Sequence, residues 1–468
     1  MPTNTFDNYP LSWKPVKEKL KPPYYKSLSE DLENRIREGL LKPGTKLPPQ
    51  REIADYLDMN YTSITKVYDI CKKKGLIYGY MGKGTFVASN FSKDATLVIA
   101  DAETEEIDMG ALNNFSEFSG LIETAIRAVM EKANLRNLLD YSYPTGHQHQ
   151  LAAGIRWMEQ IGIHTDIDRT AIVTGGQNAL TVVLISLFSS GDCIAVDQHT
   201  YANFVEMAKM LQIILVPVGG DSEGMSADDL RRKCQVNHIK GIYLMPSCTN
   251  PTTVVVSEYR KDELAAVIRE KNLILIEDDI GSWLAAAEGK NFRSLFDRVP
   301  EQSVYICGMS KSLCPGLRIA YLAYADQFKQ QILRGIFNIN VKTSSLDAEI
   351  ITELILSGDA YKLVEHKYQA CVKASILFKN YFPEYVSDSE RVCFFRWVPI
   401  HSRKSYLQVE DELRQRGIRV FHSKRFAVTD QEVPQYLRVS LSSSGSMRKL
   451  EKGLSILKEY LSQEHVKA

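Results

Sequence analysis

The chain has 468 residues, 44% apolar and 24% charged, with 57 basic side chains balanced by 57 acidic ones. Those proportions belong to a globular protein and exclude a disordered, collagenous or coiled-coil chain, and at roughly 100–200 residues per domain the length predicts two to four domains. No apolar run reaches the ~18 residues of a membrane span, and the opening MPTNTFDNYPLSW lacks the n- and h-regions of a signal peptide, so a cytoplasmic protein without membrane contact is expected.

Eight scattered cysteines form no CxxC pair, and nine histidines include no HExxH. This predicts buried reduced thiols and no metal. Charge is uneven along the chain. Residues 1–90 carry 15 Lys/Arg against 10 Asp/Glu, and the remainder carries 42 against 47. A small basic head on a larger acidic body suggests that the head meets a polyanion.

In chain order, a first helix is expected over Tyr25–Leu40, with Leu28, Leu32, Ile36 and Leu40 as its apolar stripe and Gly39 and Pro43-Gly44 at its end. A short helix, Pro48–Leu57, turns Ile53, Ala54 and Leu57 inward. After the tight connection Asp58-Met59-Asn60, with Asn60 as N-cap, a third helix covers Tyr61–Lys74 and faces inward with Ile64, Val67, Tyr68 and Cys71. Two short strands, Leu76–Tyr80 and Thr85–Val87, flank the tip Met81-Gly82-Lys83-Gly84. This is the plan of a winged helix-turn-helix. Its third helix can enter a major groove, offering Asn60, Tyr61, Thr62, Ser63 and Thr65 to base edges and Lys66, with Lys72–Lys74, to phosphates, while Lys83 approaches the backbone. A three-helix bundle with solvated lysines has the same pattern.

The stretch LLKPGTKLPPQREIADYLDMNYTSITKVYDICKKKGLIYGYMGKGTFV resembles the DNA-binding domain of the GntR superfamily over about 65 residues. The resemblance implies that Arg51 and the start of the third helix contact DNA. Pro49 stands where serine is common and Tyr61 where arginine is common, so an operator sequence does not carry over.

Residues 88–106 lack periodicity and read as a linker. Strand-like runs then alternate with helical ones: Ala171–Val173, Cys193–Val196, Ile213–Val218, Ile242–Met245, Leu273–Ile276, Val304–Cys307 and Ile319–Ala323. Such alternation predicts an α/β domain with a mostly parallel sheet, followed by an α+β part with strands at Cys393–Val398 and Tyr436–Ser440. The expected division is a DNA-binding domain over residues 20–90, a linker over 91–106 and a body over 107–468. Within the body a large part runs over about 140–335 and a small part over about 340–468.

The body holds the four things that pyridoxal phosphate chemistry needs. Lys311, after a strand in Gly308-Met309-Ser310-Lys311, can form an imine, and Ser310 and Arg318 can hold a phosphate. Asp278, just past an apolar strand, can keep a pyridine nitrogen protonated; the three acids Glu277-Asp278-Asp279 call for a compensating cation. Thr174-Gly175-Gly176-Gln177 joins a strand to a helix and can close main-chain N–H groups on the phosphate. Tyr201 can stack on the ring, and Asn250, in Asn250-Pro251-Thr252, can donate to the ring hydroxyl. Taken singly, each of these also reads as a plain turn, strand end or core residue.

Together they resemble the fold-type I, class I/II aminotransferase group of pyridoxal phosphate proteins over roughly residues 107–468. That resemblance implies that Lys311 is the Schiff-base lysine, Asp278 the ring-nitrogen partner, Asn250 the ring-oxygen contact and Tyr201 the stacking group. Gly176, Gln177, Ser310 and Arg318 then surround the phosphate, and Arg438 takes an amino acid's α-carboxylate. The chain departs from the pattern at Ile280 and Gly281, where a tyrosine is usual, at Thr253, where glycine is usual, and at Gly308, where a hydroxyl is common.

A GntR-type head on an aminotransferase-like body resembles the MocR-type transcription regulators, Trp13-Lys14-Pro15 included. The resemblance implies a homodimer that binds double-stranded operator DNA and senses an amine, an amino acid or pyridoxal phosphate itself. A working aminotransferase with an accessory head is the alternative reading, and whether transamination occurs stays open. A cofactor-free dimerisation scaffold is a third.

Overall fold

The computed structural model describes residues 12–37, 40–41, 44–73, 76–80, 84–87, 106–113, 115, 119–132, 135–289, 293–386, 391–429 and 434–467. The chain divides into two compact units, Met1–Asp94 and Ala95–Ala468. The expected linker over 91–106, except Glu106, lies outside the described residues, as do Lys83, Lys74, Gly39 and Pro43.

The head contains three helices, α1 (Tyr24–Arg37), α2 (Gln50–Leu57) and α3 (Tyr61–Lys73), then an antiparallel hairpin, β1 (Ile77–Tyr80) with β2 (Gly84–Val87). Leu28, Leu32, Ile53, Leu57, Ile64 and Val67 fill its core, each worth about 1.5–3 kcal/mol of burial. Asp58 turns the chain in the left-handed region (φ 47°), and Asn60 Oδ1 accepts from the Thr62 amide at 3.0 Å, which starts α3. Leu40 departs from expectation: it is 67% exposed. It lies past the end of α1, where helical periodicity no longer applies, and Leu41 turns inward instead, its amide on the Arg35 carbonyl. Trp13, ahead of residue 20, is fully buried in this core and its Nε1 donates to Asp31 at 2.8 Å.

The body opens with β3 (Ile107–Asp108), and its main sheet has seven strands. They are β4 (Thr170–Val173), β5 (Cys193–Asp197), β6 (Ile214–Val218), β7 (Ile239–Leu244), β8 (Ile274–Asp279), β9 (Ser303–Gly308) and β10 (Ala320–Tyr324). Their spatial order is β4-β10-β9-β8-β7-β5-β6. All neighbours are parallel except β10, which runs antiparallel to both β9 and β4. β4 and β10 are buried at every position, as strands covered by helices on both faces must be. A smaller sheet holds β11 (Phe395–Pro399), β13 (Phe421–His422) and β14 (Tyr436–Ser440) in the order β11-β14-β13. Beside it β12 (Ile418–Arg419) pairs in parallel with β3. Among the described residues no helix is long and apolar enough to cross a membrane.

None of the eight cysteines is in a disulfide; five are buried, but Cys193, Cys234 and Cys314 are only half-buried, being at strand, helix and loop ends. Cys248 and Cys393 bring their sulfurs to 3.1 Å.

In the run of three acids the strand does not stop at Ile276 but continues through Asp279. Strand alternation separates the carboxylates and gives each its own surroundings. Asp279 accepts from Tyr305 (2.9 Å), from Ser247 and from the amides of Gly281 and Ser282. Glu277 accepts from the Phe296 amide at 2.7 Å, and its Oε1 is buried without a hydrogen-bond partner among the described residues. Burial, then Asp279, pushes the Glu277 carboxyl up to about 8. A carboxyl raised in the folded state stabilises fully below its unfolded value and loses that contribution as pH climbs to the folded one. Glu277→Gln should therefore match wild type near pH 4.5 and exceed it in Tm by a few degrees at pH 8; equal Tm across that range in thermal melts would refute this.

Candidate functional site

The strand ends of the main sheet deliver most of the expected residues to one place. β4 ends at Val173, and the helix α4 (Gly175–Leu187) begins at once. Gly175 takes φ 80°, a left-handed conformation that favours glycine, and the Arg318 guanidinium lies against it at the helix start. Arg318 Nη1 also donates to Ser310 Oγ at 3.2 Å. Helix N-terminus, hydroxyl and guanidinium thus form an anion cradle.

Beside it, Gly176, Gln177, Tyr201, Asn250, Asp278, Ser310, Lys311, Arg318 and Arg438 all line a single cavity of about 280 Å³. Tyr201 donates its hydroxyl to Gln177 Oε1 at 3.1 Å, and burial, then the Asp278 charge, pushes its phenol up to about 12. Asp278 accepts from the Tyr243 hydroxyl at 2.8 Å; burial pushes its carboxyl up to about 7 against that hydrogen bond. A cationic ring nitrogen facing it would restore the carboxylate. Lys311 stands on α5 (Met309–Ser312), directly after β9, and donates to the Leu112 carbonyl. Burial, with Arg438 and Arg318 adding, pulls its ammonium down to about 8.

Arg438, on β14, is 1% exposed and lies between the rings of Phe426 (4.7 Å) and Phe421 (5.6 Å). Its Nη1 donates to Asn250 Oδ1 at 2.9 Å and its Nη2 to the Gly110 carbonyl, while Nε is buried with no partner. A guanidinium so enclosed has N–H groups to spare for a carboxylate, and burial pulls it down to about 9.

In the head, Arg51 on α2 is exposed, as are Asn60, Tyr61, Thr62 and Lys66 at the start of α3, where Ser63 and Thr65 are half-exposed. Arg51 lies over the Tyr61 ring at 5.9 Å, so the aromatic that replaces an arginine carries one on its face. Thr65 instead donates to Gln50 Oε1 at 3.0 Å.

Sequence reasoning missed Tyr243, Lys367 and the carbonyls of Gly110 and Leu112. Lys367, 3% exposed, caps the α5 turn through the carbonyls of Leu313 and Lys311. Its signal was available: it sits on the stripe Leu363, Val364, Ala370, Cys371, where a lysine has no solvent. The backbone carbonyls left no signal at all.

At positions 106–457 the chain matches the family described as aminotransferase class I and II, and at 24–87 the bacterial regulatory proteins of the gntR family. It is 34% identical over 463 residues, 98% of this chain and 99% of the relative, to the uncharacterized HTH-type transcriptional regulator YdeF of Bacillus subtilis (strain 168). It is 22% identical over 373 residues, 72% of each chain, to the probable rhizopine catabolism regulatory protein MocR of Rhizobium meliloti. Among solved structures it is similar to LysN, the alpha-aminoadipate aminotransferase of Thermus thermophilus, complexed with N-(5'-phosphopyridoxyl)-L-leucine. The TM-score is 0.70 at 18% identity, covering 78% of this chain and 94% of that one.

Proposed function

The chain belongs to the HTH-type transcriptional regulators in which a gntR-family module precedes an aminotransferase class I and II module, and from that premise we propose a cytoplasmic regulator that binds operator DNA through its head and senses an amino acid through its body. Residues 20–90 serve as the DNA-binding domain, 91–106 as linker and 107–468 as sensor.

The residues of the cavity fit pyridoxal phosphate: Ser310 and Arg318 converge on the start of α4, and Arg438, with its Nε buried and unpartnered among the described residues, lines the same cavity. Gly176, Gln177, Ser310 and Arg318 would hold the phosphate, Asp278 the ring nitrogen, Asn250 the ring oxygen and Tyr201 the ring face. Bound there, the cofactor supplies an aldehyde that condenses reversibly with a primary amine. Lys311, whose lowered pKa raises its neutral fraction near neutral pH, supplies that amine, and Arg438 orients an incoming carboxylate. The observation that carries the reading is this convergence of Lys311, Asp278 and Arg438 on one cavity.

Sensing is favoured over turnover by position 281. A Cβ at Gly281 would lie 2.8 Å from Cys248 Cβ, so no phenol stands there to hydrogen-bond the ring oxygen and assist a proton-transfer cycle. Dimerisation is supported by Leu139, Tyr141 and Tyr143, which are 71%, 84% and 80% exposed in one short run, an apolar surface a second copy would cover. Spectral titration of the loaded protein with single amino acids, with and without operator DNA, tests the reading. A spectral change coupled to DNA affinity is expected, and steady turnover with 2-oxoglutarate at ordinary enzyme rates would overturn it.

On the DNA side, Arg51→Ala and Lys66→Ala should each lower the salt dependence of operator affinity by about one ion released. Thr62→Ala should instead relax sequence preference. Unchanged salt slopes in fluorescence titrations would remove Arg51 and Lys66 from the interface.

A further inference from the structure

Two cysteines far apart in the chain meet sulfur to sulfur. Cys248 lies in the loop that follows β7, two residues before Asn250, and Cys393 lies two residues before β11. Their sulfurs are 3.1 Å apart across 145 positions. Both side chains are 4% exposed, which by itself fits two small core residues. A cavity of about 340 Å³, however, is lined by both of them, and Arg391, which also lines it, is exposed. A small neutral molecule can therefore reach sulfurs that a bulky reagent cannot.

The surroundings of the two thiols differ. Arg396 folds back on Cys393, its Nη1 donating to the Cys393 carbonyl at 3.3 Å. Burial pushes the Cys393 thiol up, but the bond from Cys248, the Arg396 guanidinium and the amides of Phe395 and Phe394 outweigh it and hold the thiol below its ordinary value. Cys248 is pushed well up, first by its bond to Cys393, then by burial, with the Asp279 carboxylate adding. The thiolate of the pair thus belongs on Cys393, and Cys248 keeps the proton. Position 281 makes room for this arrangement. Any Cβ there would lie 2.8 Å from Cys248 Cβ, so glycine, standing where tyrosine is usual, leaves Cys248 its place.

We propose that Cys393 and Cys248 are a peroxide-reactive modification site, whose product is a disulfide that pins the Asn250 loop to the small sheet. The Cys393 thiolate attacks one oxygen of hydrogen peroxide; the O–O bond breaks, the departing hydroxide takes a proton to become water, and Cys393 is left as a sulfenic acid. Cys248 then gives up its proton, its sulfur attacks Sγ of Cys393, the S–O bond breaks and a second water leaves. Two thiols lose two electrons in all, and one peroxide gains them. The sulfurs have about 1 Å left to close before the ~2.05 Å of a disulfide. Intracellular disulfides are typically transient and redox-sensing, and a dithiol reductant reverses this one. Asn250 accepts from Arg438 Nη1, and β11 pairs Trp397 with Arg438, so the new bond joins the two elements that flank this arginine. The site stands whether or not the neighbouring cavity senses an amino acid.

Peptide mapping without reductant tests this on the full chain. Trypsin leaves each cysteine on a peptide with no other, residues 241–260 and 392–396. After reduced native protein meets hydrogen peroxide, these two peptides should appear cross-linked and two of the eight thiols should be lost. The same dose should oxidise the half-exposed Cys193, Cys234 and Cys314 at least about 10-fold less. Oxidation of those three first, or a bond from either cysteine to the neighbouring Cys371, overturns the proposal. Cys248→Ala should stop at a sulfenic acid on Cys393, caught by dimedone, whereas Cys393→Ala should leave Cys248 a thiol; the reverse pattern overturns the assigned roles. Where a variant fails to fold, the wild-type map decides. Pinning is read by hydrogen–deuterium exchange. The amides of Thr249 and Thr253, bonded to the carbonyls of Val254 and Thr249, should exchange at least about 3-fold more slowly in the oxidised protein. Equal exchange in a protein that carries the cross-link overturns the pin.

Discussion

Replacing Lys311 by alanine should abolish the visible absorbance of the pyridoxal phosphate-loaded protein and weaken cofactor retention at least about 100-fold, close to 3 kcal/mol, while the salt dependence of DNA binding stays that of wild type. The amine sits at the end of β9 in the same cavity as Asp278 and the anion cradle, so it is the nucleophile within reach of a ring held there. Its low pKa, near 8, follows from burial first and from Arg438 and Arg318 second. The neutral, nucleophilic fraction thus grows as pH rises towards 8 and levels off above it, and the rate of cofactor capture should follow the same curve. The phosphate cradle of Gly176, Ser310 and Arg318 is untouched by the substitution, so weak, colourless binding should persist and be visible by competition with inorganic phosphate. A variant that kept the absorbance would place the reactive amine elsewhere, with the buried Lys367 first to be examined.

Arg438→Met should cost amino acids about 30- to 5000-fold in affinity, corresponding to the ~2–5 kcal/mol lost when one partner of a buried charge pair is removed. Amines without a carboxylate should bind as before. The contrast depends on the setting of the guanidinium: enclosed by Phe421 and Phe426, with Nε unpartnered, it can repay its desolvation fully only with an anion. The unliganded protein should lose little, since methionine fills the space and leaves no buried charge; what it gives up are the bonds to Asn250 and Gly110. Calorimetric titration of paired ligands, an amino acid against its decarboxylated amine, measures both arms. A proportional loss for both ligands would show that Arg438 serves the fold and not the carboxylate.

Much of this site could be read from local chemistry. A lysine after an apolar strand, glycines at a strand–helix junction and an acid at a strand end each announce themselves because their role is set by the few residues around them. The winged helix was legible for the same reason: its helices are short, strongly patterned and punctuated by Asn60 and Asp58. Where reading failed, the cause was distance. Leu40 looked like the next apolar stripe position, but the helix had already ended. The donors that meet Glu277 and Asp279 of β8, namely Tyr305, Ser247 and the Phe296 amide, come from other strands and loops and left no local signal.

By itself, then, the sequence determined the kinds of groups present and their local geometry: a basic reading helix, an amine, an acid, an anion cradle and an arginine, because periodicity, capping and turn chemistry act over a few residues. Only the tertiary structure decided what those groups touch. Gly110 and Arg438 are 328 positions apart, and a backbone carbonyl carries no side-chain signature, so no pattern could announce that they meet. Pairing of β12 with β3 and the bond from the Ser440 amide to the Met109 carbonyl fixed that contact, just as packing of the head's helices drew in Trp13 from beyond the recognisable motif.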